Sequence, residues 1–254
     1  MTAPPGDIAE VVARMGRLLA PLEERADPNR FFLATYMRTT VAVGEEVRRG
    51  GFQDAEWVER WDVTFANLYL DALEQWTAGE GAPGPWAVAF QAAAARDEHL
   101  PPLRHVLLGM NADINYDLPQ ALLAAITDDE FDDEALVSRR RQDHAHIDEV
   151  LASRVDAEDK ELIKVEQPGD RTWLDRLMTP FNQAGTKRFL KEARRKVWAN
   201  ARLMSAARRQ GPEALSARRR ELEELSRRRV ADLKVPGQVL VKLAVKGFGV
   251  KLSP

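Results

Sequence analysis

Apolar residues recur every three to four positions along almost the whole of this 254-residue chain, which is the period of an amphipathic helix. Ile8, Val11, Val12, Met15, Leu18, Leu19 and Leu22 form one such stripe and predict a helix over 8–25, after a Pro-Pro-Gly start. Asp27-Pro28-Asn29 interrupts the pattern; it resumes over 31–49 and stops at Gly50-Gly51. A third helix is predicted over 54–77, with Trp57, Trp61, Phe65, Leu68, Tyr69, Leu73 and Trp76 on one broad face. A Gly/Pro-rich loop over 79–85 leads to a fourth over 86–97. Thr127-Asp128-Asp129-Glu130 has the form of a capping box, so a helix should begin there and run toward Arg141 or Ser153. Helices over 171–178, 187–209 and 213–232 follow. Strand-like alternation is nearly absent, and the tail 239–252 reads as a short helix or an irregular strand. The pattern predicts an all-α, compact multi-helix bundle of at least seven helices, without internal repeats.

One segment departs from this regularity. In PPLRHVLLGMNADINYDLPQALLAAI, residues 101–126, the apolar helical pattern is interrupted by Gly109, Asn111, Asp113, Asn115, Asp117 and Pro119. On an uninterrupted helix, His105, Gly109, Asp113 and Asp117 follow one another at i+4 steps and share a face spanning about 120°. An imidazole with two carboxylates suits a hard divalent metal ion, so His105, Asp113 and Asp117 are candidate ligands. The competing reading is that Asp113 and Asp117 cap backbone where the helix breaks before Pro119.

Asp62 lies beside the aromatic stripe of 54–77, which makes it a third candidate carboxylate, with Arg60 or Arg38 as its expected partner. Asp62, Asp113 and Asp117 are therefore the candidate catalytic residues. Tyr36, Tyr69, Asn111 and Asn115 are candidate substrate contacts, and Thr39 could face the same pocket. His144 and His146 point about 200° apart on a helix and cannot chelate one ion together. Asp128, Asp129, Asp132 and Asp133 are aspartate-rich in the manner of a diphosphate site, but they coincide with the capping box.

Charge divides the chain unevenly. Residues 1–163 hold 15 Lys/Arg against 31 Asp/Glu and residues 164–254 hold 22 against 9, so −16 and +13 make up the net −3. Within a single domain, 1–254, this predicts that the basic helical part packs against the acidic part; an arm for an anionic partner is the alternative. Arg218-Arg219-Arg220 and Arg227-Arg228-Arg229 flank Glu221, Glu223 and Glu224 at pairing distance, and no nucleic-acid reading motif accompanies them. No nucleic acid is expected as a partner. With no cysteine, disulfide and thiolate chemistry are excluded. Neither an export signal nor a transmembrane run is present, so the reading is cytoplasmic, with a peripheral membrane contact through the lysine-spaced tail disfavoured.

The stretch LLGMNADINYDLPQAL, with GFQDAEWVERWDVTFANLYLDAL before it and ARRKVWANARLM after it, resembles an uncharacterised actinobacterial family of helical proteins, a domain of unknown function. The likeness spans residues 30–210. The family's motif, Gly-(Met/Ile)-Asn-Ala-His-(Ile/Val)-Asn-x-Asp-Leu, is matched at Gly109, Asn111, Ala112, Asn115, Asp117 and Leu118, and Asp113 stands where His is usual. The resemblance implies a helical fold and no activity. Asp113 would keep a hard-oxygen metal site but serve less well than His as a base at neutral pH. Two functions remain open. One is an enzyme, metal-dependent or not, acting on a small or apolar metabolite in a polar-lined interior pocket; the other is a non-catalytic helical binding or scaffold protein.

Overall fold

A computed structural model describes residues 6–95, 102–162, 180–234 and 248–253. Among these residues there are helices and no strand. The helices are α1 (Ile8–Glu24), α2 (Asn29–Arg49), α3 (Ala55–Thr77), α4 (Gly84–Ala94), α5 (Pro102–Ala112), a π-helical turn (Asp113–Asp117), α6 (Leu118–Ala125), α7 (Asp128–Asp132), α8 (Glu134–Leu162), α9 (Pro180–Gln210) and α10 (Pro212–Leu233). The helix expected over 171–178, the end of the one expected at Asp97, and most of the tail lie outside the described residues.

Local signals set the helix ends. Asp7 accepts from the Glu10 amide at the start of α1, and Asp54 accepts from the Trp57 amide at the start of α3. Gly50 ends α2 with a φ of 71°, a left-handed conformation that favours glycine. The capping box forms as its spacing predicts, with Thr127 and Glu130 each bonded to the other's backbone amide. The helix it starts is nevertheless short. Asp133 turns its side chain onto the Ala135 and Leu136 amides at 3.0 Å each, which ends α7 and starts α8.

α3 is the central helix. It buries Trp57, Trp61, Phe65, Ala66, Tyr69, Leu70 and Leu73 against α1, α2, α4, α6 and the π turn, so apolar residues occupy most of its circumference. α10 packs along α4 and α5, while α9 lies on α6 and α10. Trp57, Trp86, Tyr69 and Phe90 are among the largest fully buried side chains, and each such burial contributes about 1.5–3 kcal/mol.

Basic residues of α9 meet acidic ones around α7. Arg208 reaches Asp128 at 2.6 Å, Arg209 reaches Asp132 at 2.7 Å and Arg202 reaches Glu134 at 2.6 Å. Arg208 also donates to the carbonyls of Leu123, in the last turn of α6, and Ile126, just beyond it, which fixes α9 to that corner. Asp128 and Asp132 are thus spent on arginines, and Asp133 on backbone amides. On α10, Arg218 pairs with Glu221, and Arg227 and Arg228 share Glu224, at the predicted i+3 and i+4 spacings.

Candidate functional site

Pro119 determines the shape of the site. It has no amide hydrogen, and its ring would clash with the carbonyl four residues back, so an ordinary α-helix cannot continue through it unchanged. The chain does not break there. It widens by one residue, with the Leu118 amide donating to the Asp113 carbonyl five positions back, and then continues as α6. This corrects the expectation of a broken helix, and it changes the relation of Asp113 to Asp117 from that of a regular i+4 pair.

Neither aspartate caps backbone in the π turn. Asp113 is 7% exposed and Asp117 2% exposed, and both point into the interior shared by α2, α3 and α4. Asp117 Oδ2 accepts from Trp86 Nε1 at 2.7 Å. Asp113 Oδ1 is buried without a hydrogen-bond partner. Asp62, 4% exposed, comes from α3 to the same region, and its Oδ2 is also without a partner. The basic partners proposed for Asp62 are engaged elsewhere: Arg60 with Glu56 at 2.6 Å, and Arg38 with the Thr35 hydroxyl at 3.3 Å.

Three buried carboxyls without a compensating cation among the described residues hold their protons tightly. Burial pushes Asp117 up to about 8, against the lowering effect of the Trp86 hydrogen bond. Burial, with repulsion from Glu59, pushes Asp62 up to about 7. Asp113 is raised well above the carboxylate range by burial and then by Asp117 and Asp62. Tyr36 and Tyr69 complete the cluster. Both hydroxyls are buried without a partner. Burial and the charge of Asp113 raise both phenols; Asp62 and Asp117 act on Tyr36 as well.

Aromatic rings wall this polar group. Tyr69 packs 4.7 Å from Trp86 and 4.9 Å, edge-on, from Phe32; Tyr36 lies 5.7 Å from both Phe65 and Tyr69. A hollow of about 250 Å³, mouth included, runs in along Asn29, Phe32, Tyr69, Trp86, Phe90, His105 and Gly109. Of its lining, Trp86 reaches the carboxyls through its hydrogen bond to Asp117, and Tyr69 lies near Asp113, which acts on its phenol; the carboxyls themselves stand behind these rings. Gly109 is required there, since a Cβ at that position would lie 2.5 Å from the Phe32 ring.

The remaining expected residues are placed differently. His105 stacks on Phe31 with ring centres 6.4 Å apart and lines the hollow. Among the described residues no group of three or more His, Cys, Asp or Glu is arranged to hold a metal ion, so His105, Asp113 and Asp117 are not brought into one ligand set. Asn111 and Asn115 face away from the carboxyls, onto the tail. Asn115 donates to the Phe248 carbonyl at 3.1 Å and accepts from the Val250 amide at 2.8 Å, while Asn111 donates to the Phe248 carbonyl at 3.5 Å. Thr39 bonds the Thr35 carbonyl of its own helix. His144 and His146 diverge as their spacing requires. His144 is buried and accepts from Trp198 Nε1 at 3.0 Å; His146 lies between Glu46 and Glu149 near the surface.

Sequence reasoning missed Trp86 as the partner of Asp117, and Asn200, which grips the tail at the Val250 carbonyl (3.1 Å) and the Leu252 amide (2.9 Å). It also missed Asp143, whose carboxylate accepts from the Gln53 and Asp54 amides ahead of α3. No local pattern marks any of the three; each bond spans more than thirty positions.

The fold and site define an all-α protein with a buried acidic and phenolic cluster behind an aromatic hollow. The chain belongs to the family of unknown function DUF5995, whose profile matches residues 8–236. The Phe248–Leu252 stretch held by Asn115 and Asn200 lies beyond that match. No curated protein and no solved structure matches the chain.

Proposed function

We propose that this protein is an enzyme acting on a small metabolite, with Asp113 and Asp117 as the proton-transferring groups and Asp62, Tyr36 and Tyr69 as the surrounding polar contacts. The observation that carries this reading is the set of buried carboxyls left without cationic partners. A fold that keeps Asp113 Oδ1, Asp62 Oδ2 and two phenol hydroxyls buried and unbonded bears a desolvation cost that a purely structural role does not require. Carboxyls poised near neutrality, at about 8 for Asp117 and about 7 for Asp62, are matched to general acid–base work at physiological pH. The π turn contributes by turning both Asp113 and Asp117 inward. A divalent ion is not needed for this chemistry.

Activity profiling against a pooled metabolite extract tests the reading. Wild-type protein should deplete one component and produce another, and Asp113→Asn or Asp117→Asn should abolish the change while the fold persists. Retention of a small molecule by all three proteins, with identical metabolite profiles, would instead assign the non-catalytic binding role.

A further inference from the structure

We propose that the ligand of this site carries a primary ammonium group, which seats among Asp62, Asp113, Tyr36 and Tyr69 while its carbon skeleton lies in the aromatic hollow. The inference rests on the site being a small-molecule pocket, as above, and adds the chemical class of what enters it.

Every unbonded side-chain oxygen in the cluster is able to accept a hydrogen bond: Asp62 Oδ2, Asp113 Oδ1, and the hydroxyls of Tyr36 and Tyr69. A primary ammonium offers three donors and no acceptor, so it can satisfy three of these oxygens at once, where a neutral alcohol can donate to only one. Tyr36 is an observation separate from the acidic cluster itself. It is 5% exposed, its hydroxyl has no partner, and it feels the charge of all three aspartates, which places it facing them.

Charge points the same way. Three carboxyls stand together, and only burial, carboxylate neighbours and the Trp86 hydrogen bond act on them. A buried anion requires a counter-charge, and a cationic guest provides one. The walls suit an organic cation, because the faces of Phe32, Tyr69, Trp86 and Phe90 attract positive charge and cover a hydrocarbon chain. Size selects among organic cations. The hollow as a whole has free room for about one water, which a compact primary ammonium head matches and a quaternary one exceeds.

Seating the guest exchanges one positive charge for another. The ammonium enters protonated, one carboxyl of the cluster ionises, and the displaced proton leaves to solvent. The titratable groups around that carboxyl are Tyr36 from α2, Glu59, Asp62 and Tyr69 from α3, Tyr116 and Asp117 from the π turn, Asp27 before α2, and His105 at the hollow.

Calorimetric titration and thermal unfolding of the full chain test this with four probes: n-butylammonium, butan-1-ol, tetramethylammonium and Mn²⁺. Butylammonium should bind at least about tenfold more tightly than butan-1-ol and tetramethylammonium. Its affinity should rise from about pH 6 to about pH 8, with proton release revealed by comparing two buffers of different ionisation enthalpy. Asp113→Asn should weaken it by at least about tenfold, with circular dichroism unchanged. Equal binding of butan-1-ol and butylammonium, indifferent to Asp113→Asn, would overturn the cationic assignment and leave the pocket reading standing. A response to Mn²⁺ without one to butylammonium would overturn it in favour of a metal. No response to any probe also overturns it, and the metabolite profile then decides the pocket reading on its own.

Discussion

Replacing Asp117 by Asn removes the ionisable group and keeps an oxygen able to accept the Trp86 hydrogen bond, now 2.7 Å long. In the folded protein the Asp117 carboxyl titrates at about 8 instead of the ordinary 3.8, because burial penalises its charged form. Between those values the folded state holds a proton that the unfolded chain has lost. Stability from this group is therefore complete below about 3.8 and falls as the pH rises through about 8. At about 1.4 kcal/mol per pH unit, the interval corresponds to about 6 kcal/mol. Asp117→Asn should match the wild type within about 1 kcal/mol near pH 4 and exceed it by about 5 kcal/mol near pH 8. Urea denaturation at four pH values reads this directly, through midpoints at constant m. A variant that is less stable by the same amount at every pH would refute the reasoning, since that is what loss of a purely structural hydrogen bond produces.

Other substitutions probe the surroundings. Trp86→Phe deletes the indole hydrogen bond to Asp117, so stability near pH 7 should fall by about 1–3 kcal/mol and the Asp117 carboxyl should titrate still higher, read by thermal unfolding and carboxyl NMR. Gly109→Ala drives a methyl group to 2.5 Å from the Phe32 ring, and the repacking should cost about 1–3 kcal/mol by urea denaturation and narrow the hollow. Asn200→Ala removes both bonds to the tail, so the Leu252 amide should exchange with solvent at least about tenfold faster while the α3 amides stay protected.

Periodicity carries most of the fold because each helix here buries an apolar face, and a face is written locally. The stripe from Trp57 to Leu73 names the central helix correctly, and Thr127 with Glu130 forms the box its spacing announces. What periodicity misses is how a helix passes a difficult residue. Pro119 forces either a break or a widening, and the choice is made by packing: a π turn sends Asp113 and Asp117 into the interior behind Tyr69 and Trp86. The polar positions in that segment were visible, and their burial followed. Their partners were not visible, because Asp117 meets a tryptophan from α4 and Asn115 meets the backbone of residues 248–250. An asparagine beside two aspartates reads as part of one site in one dimension; in space the helix separates them onto two sides. Asp62 illustrates the same limit, since its nearest arginine in sequence turns outward to Glu56.

The central claim is that Asp62, Asp113 and Asp117 keep their protons near neutrality inside an otherwise apolar core. A carbon-13 NMR titration of the aspartate carboxyls follows each group directly. The expected result is Asp62 titrating near about 7, Asp117 near about 8 and Asp113 above the ordinary carboxylate range. Three carboxyls that all finish titrating near the ordinary 3.8 would contradict the account, since they would be solvated or already paired with cations, and neither the acid–base role nor the ammonium site would stand.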